Sequence, residues 1–313
     1  MLKEAITYFA RIAITIFYCY HIRMRIGAFE FKDPLPELNS PHAFAILRPW
    51  IDAGSAGRLT VSSLDTTFKA VEIGKLARPG NFFDFTRYRP IMRNNKGKRQ
   101  LSVPNTYISY AIRPGDHDLV FIFMLEPHSF SEVYIESMVQ VLKALKIKRY
   151  SLLGSMYDMV PHTRPLAVSG TAGPAIMEKL LLLGVRSSNY EGPSTIAALI
   201  SQEAEKLDIE TITLIVHLPQ YAHLEKDHNG YLRLMEVLCS LYDFKIDLTS
   251  LRIRAEKQYR ELDKKMEEDP QLLHVVEYLE SVHESGRREP DEKLTKLSPE
   301  IENFLHEIDT SFQ

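Results

Sequence analysis

Short apolar runs alternate along the chain with stretches whose apolar residues recur every three or four positions. These are the signatures of buried strands and amphipathic helices. Residues 43–47 read as a first buried strand, closed by Arg48, Pro49 and Trp50. Residues 54–68 follow at helical spacing through Ala56, Leu59, Leu64 and Phe68. Residues 118–125 are almost continuously apolar, as in a strand covered on both faces. Ser129 and Glu132 then make a capping-box signature for a helix running to about residue 145. Residues 150–153 and 211–216 read as two more buried strands, and 174–183 as a helix stopped at Gly184. Pro193 suits the first position of the next helix, and 230–241 continue the helical pattern. Around the basic tip Arg93–Arg99, residues 101–103 and 107–112 predict an antiparallel hairpin.

After residue 247 the strand signal stops. Residues 251–268, 270–285 and 299–308 read as three helices, with a polar break at 286–290 between the last two. Strands alternating with helices over 24–246 predict an α/β fold, a three-layer αβα sandwich around a mixed, mainly parallel sheet. Residues 247–313 form a helical C-terminal extension. Residues 1–23 read as an appended or spurious extension. Their apolar stretch, 12–20, is shorter than the roughly 20 residues a spanning helix needs, and no small-residue cleavage site follows it.

Composition narrows the class. The 313 residues are 45% hydrophobic and 25% charged with a net charge of −3, a globular composition with no general basic field for nucleic acid. Cys19 and Cys239 fit no zinc or redox spacing, which agrees with a reducing, cytoplasmic setting.

The candidate chemistry sits after the four buried strands. Their loops carry Trp50 and Asp52; Glu126 and His128; Asp158, His162 and Arg164; Gln220 and Tyr221. If the strands are parallel, all four loops open on one edge of the sheet, where α/β proteins gather ligands. Glu126 ends an apolar run, so burial would raise its pKa unless a cation such as Arg164 pairs with it. Glu126 then reads as a general acid/base or a ligand for a polar substrate or, more simply, as half of a structural ion pair that orders the loops. His162 has Asp158 near in sequence as an orienting partner, against the plainer reading of a histidine bonded to loop backbone. Gly192, Pro193, Ser194 and Thr195 present a helix N-terminus that would take an anion or simply be capped. No G-x-S-x-G elbow, Walker loop or G-x-G-x-x-G occurs. His217, His223 and His228 match no metal spacing, so neither a cofactor nor a metal is expected.

Several motifs in order carry a family resemblance: Trp50-x-Asp52-Ala53-Gly54, Asp84-Phe85 with Arg89-Pro90, Glu126-Pro127, Gly154 with Pro161-His162-Thr163-Arg164-Pro165, Tyr190-x-Gly192-Pro193, and His217-Leu218-Pro219-Gln220-Tyr221. Together, over about 24–280, they resemble the prokaryotic branch of the proteasome assembly chaperone family, the branch related to chaperone two. The resemblance implies an αβα fold similar to nucleoside phosphorylases and peptidyl-tRNA hydrolases. It also implies a homo-oligomer, often a trimer. Some prokaryotic members carry an ATP-grasp ligase label, for which this chain has no nucleotide-binding signature. Archaeal relatives that act on proteasomes can end in a hydrophobic-Tyr-any tripeptide; here Ser311-Phe312-Gln313 keeps only the aromatic. Two functions follow as expectations. One is an oligomeric assembly chaperone or scaffold that contacts itself and a protein-complex partner, with no nucleic acid or membrane. The other is a small-molecule enzyme or sensor with a phosphorylase-like cleft for an anionic ligand.

Overall fold

The computed structural model describes residues 23–95 and 97–284. Ten of its twelve strands form one sheet. In chain order these are β1 (Arg23–Ile26), β2 (Phe29–Lys32), β3 (His42–Arg48), β4 (Val71–Leu76), β7 (Tyr107–Ala111), β8 (Leu119–Leu125), β9 (Arg149–Asp158), β10 (Val168–Ala172), β11 (Val185–Ser187) and β12 (Glu210–Pro219). Across the sheet they lie in the order β1-β2-β4-β7-β8-β3-β9-β12-β10-β11. The strands β8, β3, β9 and β12 are mutually parallel. Antiparallel pairs flank this centre on both sides, giving the mixed sheet expected from the pattern.

The helices are α1 (Ala56–Thr67), α2 (Ser131–Ala144), α3 (Pro174–Leu182), α4 (Ile196–Glu205), α5 (His228–Tyr242), α6 (Thr249–Glu267) and α7 (Pro270–Glu284). Side chains alternate across each strand, so the two faces of β3 build two cores. Ala43, Ala45 and Leu47 join α2 and α4 in one. Phe44 and Ile46 join α1, α3 and α5 in the other. All seven residues of β8 are buried, which explains its unbroken apolarity. A third, smaller core of Tyr221, Leu262, Met266, Val275, Val276 and Leu279 lies under α6 and α7.

The structure revises several local expectations. β9 and β12 are each ten residues long, because they pair in register from Arg149↔Glu210 to Asp158↔Pro219. Pairing, not apolarity, carries them past their apolar cores, so Gly154 to Asp158 is strand rather than loop. Ser129 does not cap α2: its backbone N–H is held by the Phe82 carbonyl, and the helix starts after Phe130 in a left-handed conformation. Pro193 lies ahead of α4 rather than inside it, and Thr195 is the N-cap. The basic-tip hairpin forms from β5 (Ile91–Asn95) and β6 (Lys98–Ser102), while β7 leaves it to join the main sheet. The expected helix at 299–308 and the extension at 1–22 lie outside the described residues. Among the described residues no helix is long and apolar enough to cross a membrane.

Candidate functional site

The four parallel strands do open their following loops on one edge. The charged residues there do not converge; they divide into separate clusters, each engaged with a different part of the fold.

Asp52 follows β3 and forms a bridge to Ser155 of β9. Its Oδ1 accepts the Arg58 backbone N–H at 2.9 Å, and Arg58 Nε stands 3.7 Å from Oδ2. The side chain is 5% exposed. Burial pushes its pKa up to about 6, against the opposing pull of the Arg58 hydrogen bond and the Arg58 and Arg48 charges. Gly154 makes this approach possible: a Cβ there would lie 2.9 Å from the Ile51 carbonyl oxygen.

Glu126 does not meet Arg164. Its carboxylate faces the backbone N–H of Ile196, the first residue of α4, which draws its pKa down against burial, and Tyr88 donates to its carbonyl at 3.2 Å. The helix end that the Gly192 to Thr195 turn seemed to offer a ligand thus already faces a carboxylate of the fold, a favourable charge at that pole. Burial raises the Glu126 pKa. Its Oε2 is buried without a hydrogen-bond partner. Gly192 and Ser194 themselves are exposed.

Asp158 does not orient His162. Its Oδ2 is 2.7 Å from His217 Nδ1, and His217 Nε2 is 2.8 Å from Ser169 Oγ. The three residues sit diagonally on β9, β12 and β10, on one face of the sheet. The His217 hydrogen bond, together with the field of Arg186, holds the Asp158 carboxyl below its ordinary pKa despite burial. The order matches the nucleophile, base and orienting acid of a serine hydrolase. The relay lies on an open sheet face, where it also serves as a cross-strand tie.

His162 is 5% exposed and bonds to residues remote in sequence. Tyr221 Oη accepts its backbone N–H at 2.8 Å and lies 2.6 Å from Nδ1. Nε2 lies 2.9 Å from Asp263 Oδ1 on α6. With the tyrosine proton given to Nδ1, the imidazole is neutral with its own proton on Nε2, aimed at Asp263. Burial lowers the His162 pKa although Asp263 opposes it, in keeping with that neutral form. Arg164, two residues on, bonds Glu280 at 3.0 Å and Glu284 at 2.6 Å, both on α7. Asp227, unread from sequence, is buried at 2% exposure, caps α5 through Gly230 and accepts from Tyr259 of α6. The Asp227-His228-Asn229-Gly230 run is a recognisable cap signal; Asp263, Glu280 and Ser169 had none.

A groove of about 880 Å³ lies on the β4–β7 side of the same edge, lined by Arg48, Lys75, Tyr88, Arg89, Arg93 and Tyr107 among others. Burial and the neighbouring Arg58 charge lower the Arg48 pKa. Among the described residues no group of three or more His, Cys, Asp and Glu side chains is placed to hold a metal ion.

The fold and its edge thus define an αβα protein whose predicted site residues mostly join its own layers and helices. The chain belongs to the PAC2 family, whose model matches residues 46–266. Solved structures agree in fold. A Mycobacterium tuberculosis proteasome-assembly chaperone homologue is 27% identical over 75% of this chain and 99% of its own, with a TM-score of 0.66. A Corynebacterium glutamicum protein of unknown function is 20% identical over 83% and 98%, with a TM-score of 0.73. A Pyrococcus furiosus archaeal proteasome activator is 17% identical over 78% and 100%, with a TM-score of 0.60. The last two share the fold alone. No curated protein matches this chain.

Proposed function

We propose that this protein is an assembly-chaperone-like scaffold that acts in the cytoplasm as a homo-oligomer, a trimer, through protein–protein contacts. Family membership and the likeness to a proteasome-assembly chaperone homologue support the class. One observation carries the reading further. The core under α2 and α4 takes no buried residue from β12, β10 or β11; α4 borders β12, yet among the described residues that face of the sheet stays only half-covered. Thr213, Ile215, His217 and Ser169 remain half-buried there, with exposed Met156 and Leu199 beside them. A half-covered sheet face with apolar neighbours suits a subunit contact.

Light scattering coupled to size exclusion tests this on the full chain. The wild type is expected at trimer mass, and Met156→Glu with Leu199→Glu at monomer mass with unchanged circular dichroism. A wild-type monomer at every concentration overturns the oligomer, and with it the proposed role of this face.

A further inference from the structure

The groove beside β5 and β6 carries more charge than the fold neutralises. Four cationic side chains line it, Arg48, Lys75, Arg89 and Arg93, against a single acid, Glu72. None of the four forms an ion pair among the described residues. Lys75 is half-buried and Arg89 and Arg93 are exposed, so water can solvate them. Arg48 differs: its Nε is buried and has no hydrogen-bond partner. A buried unpaired donor costs free energy that no contact within the fold returns.

The place of Arg48 in the topology is equally specific. It is the last residue of β3, between β8 and β9. In chain order the four parallel strands are arranged second, first, third, fourth. The chain therefore crosses back over β3, with α1 packed on one face and α2 on the other. The carboxyl end of a strand at such a reversal is where open α/β sheets leave a crevice for a ligand. Beside Arg48 stand Tyr88 and Tyr107, and the hairpin adds Ile91 and Leu101, each more than half exposed.

We propose that this groove is a binding site for a multiply charged organic anion, with phosphate or carboxylate groups taken by Arg48 at the buried end and by Lys75, Arg89 and Arg93 toward the solvent, and with its body against Tyr88 and Tyr107. Planar guanidinium groups recognise both kinds of oxyanion through paired hydrogen bonds. The volume is within the range of small-molecule sites. This goes beyond the scaffold reading, which uses the opposite end of the sheet.

Calorimetric titration of the full chain with pyrophosphate and with citrate, at constant ionic strength, is the test. Binding of at least one is expected, roughly tenfold weaker in Arg48→Met, in line with loss of one charge-assisted contact. Lys75→Ala and Arg89→Ala, at better-solvated positions, are expected to weaken it several-fold while melting with the wild type, and they keep the test decisive if Arg48→Met fails to fold. A response to pyrophosphate alone assigns the phosphate class, and to citrate alone the carboxylate class. No binding of either anion, or equal binding by wild type, Lys75→Ala and Arg89→Ala, overturns the site. Either result leaves the oligomeric mass, and so the scaffold reading, to be judged separately.

Discussion

His162 Nε2 lies 2.9 Å from Asp263 Oδ1, and this contact between residues about a hundred positions apart ties the loop after the central strand β9 to the C-terminal helices. Tyr221 holds the other ring nitrogen and the backbone N–H of the same histidine. Arg164 repeats the tie to α7 two residues later. A loop that reads as catalytic is thus a fastening between the sheet and the helices that follow it.

The tyrosine is the member of that fastening with no substitute. Tyr221→Phe keeps the ring but leaves the His162 N–H and Nδ1 unpaired in a buried setting. We expect a loss of roughly 1–3 kcal/mol in urea denaturation. An unchanged midpoint would show that water or a shifted loop replaces the hydroxyl.

Arg164 acts at the surface, so its effect should be local. Arg164→Ala is expected to raise amide hydrogen exchange across residues 270–284 while the strands keep wild-type protection. Added salt should produce the same change in the wild type by screening the exposed pairs. Uniform exchange in wild type and variant would rule out the tie.

Asp52 gives a pH signature. Its pKa is about 6 in the fold against about 3.9 in an unfolded chain. The folded state binds the proton more tightly, so the contribution of Asp52 is present below the unfolded pKa and lost as pH rises through 6. Asp52→Asn removes this titration while keeping an acceptor for the Arg58 N–H. Relative to wild type, the variant should gain roughly 1–3 kcal/mol between pH 4 and pH 7.5. His42, held down to about 3 by burial and by Arg149, slopes the other way but is common to both proteins and drops out of the difference. A difference that does not vary with pH contradicts the burial of this carboxylate.

Gly154 is a test of packing. Alanine there would place a methyl group 2.7 Å from Ile215 Cδ1 and 2.9 Å from the Ile51 carbonyl. Gly154→Ala should cost about 1–3 kcal/mol by forcing β3's following segment away from β9, read as a lower thermal midpoint. A wild-type midpoint would mean the Asp52–Ser155 bridge has room to move.

Much of the architecture was legible in the linear pattern because burial on two faces leaves a continuous apolar record. β8, with every residue buried, could hardly be read otherwise. β10 and the edge strand β11 left no such record, since one of their faces is only partly covered and their sequence, Val168-Ser169-Gly170-Thr171-Ala172 among it, is small and polar. β9 and β12 were read short for a related reason: their last residues are strand because a neighbour pairs with them.

The candidate residues were found by type and by their place after strands, and that placement at one edge holds. Their partners were not legible. Nearness in sequence favoured Asp158 for His162 and nearness of loops favoured Arg164 for Glu126, whereas the fold brings His217 to Asp158 and α6 and α7 to His162 and Arg164. The sequence by itself determined where the most buried strands and the amphipathic helices lie, which faces are apolar, and the family, because each is written in local periodicity and ordered motifs. Only the tertiary structure decided which charges neutralise one another and which donors, like the Arg48 Nε, are buried without a hydrogen-bond partner among the described residues. An ion pair is a matter of a few ångströms across space, and strand order sets those distances.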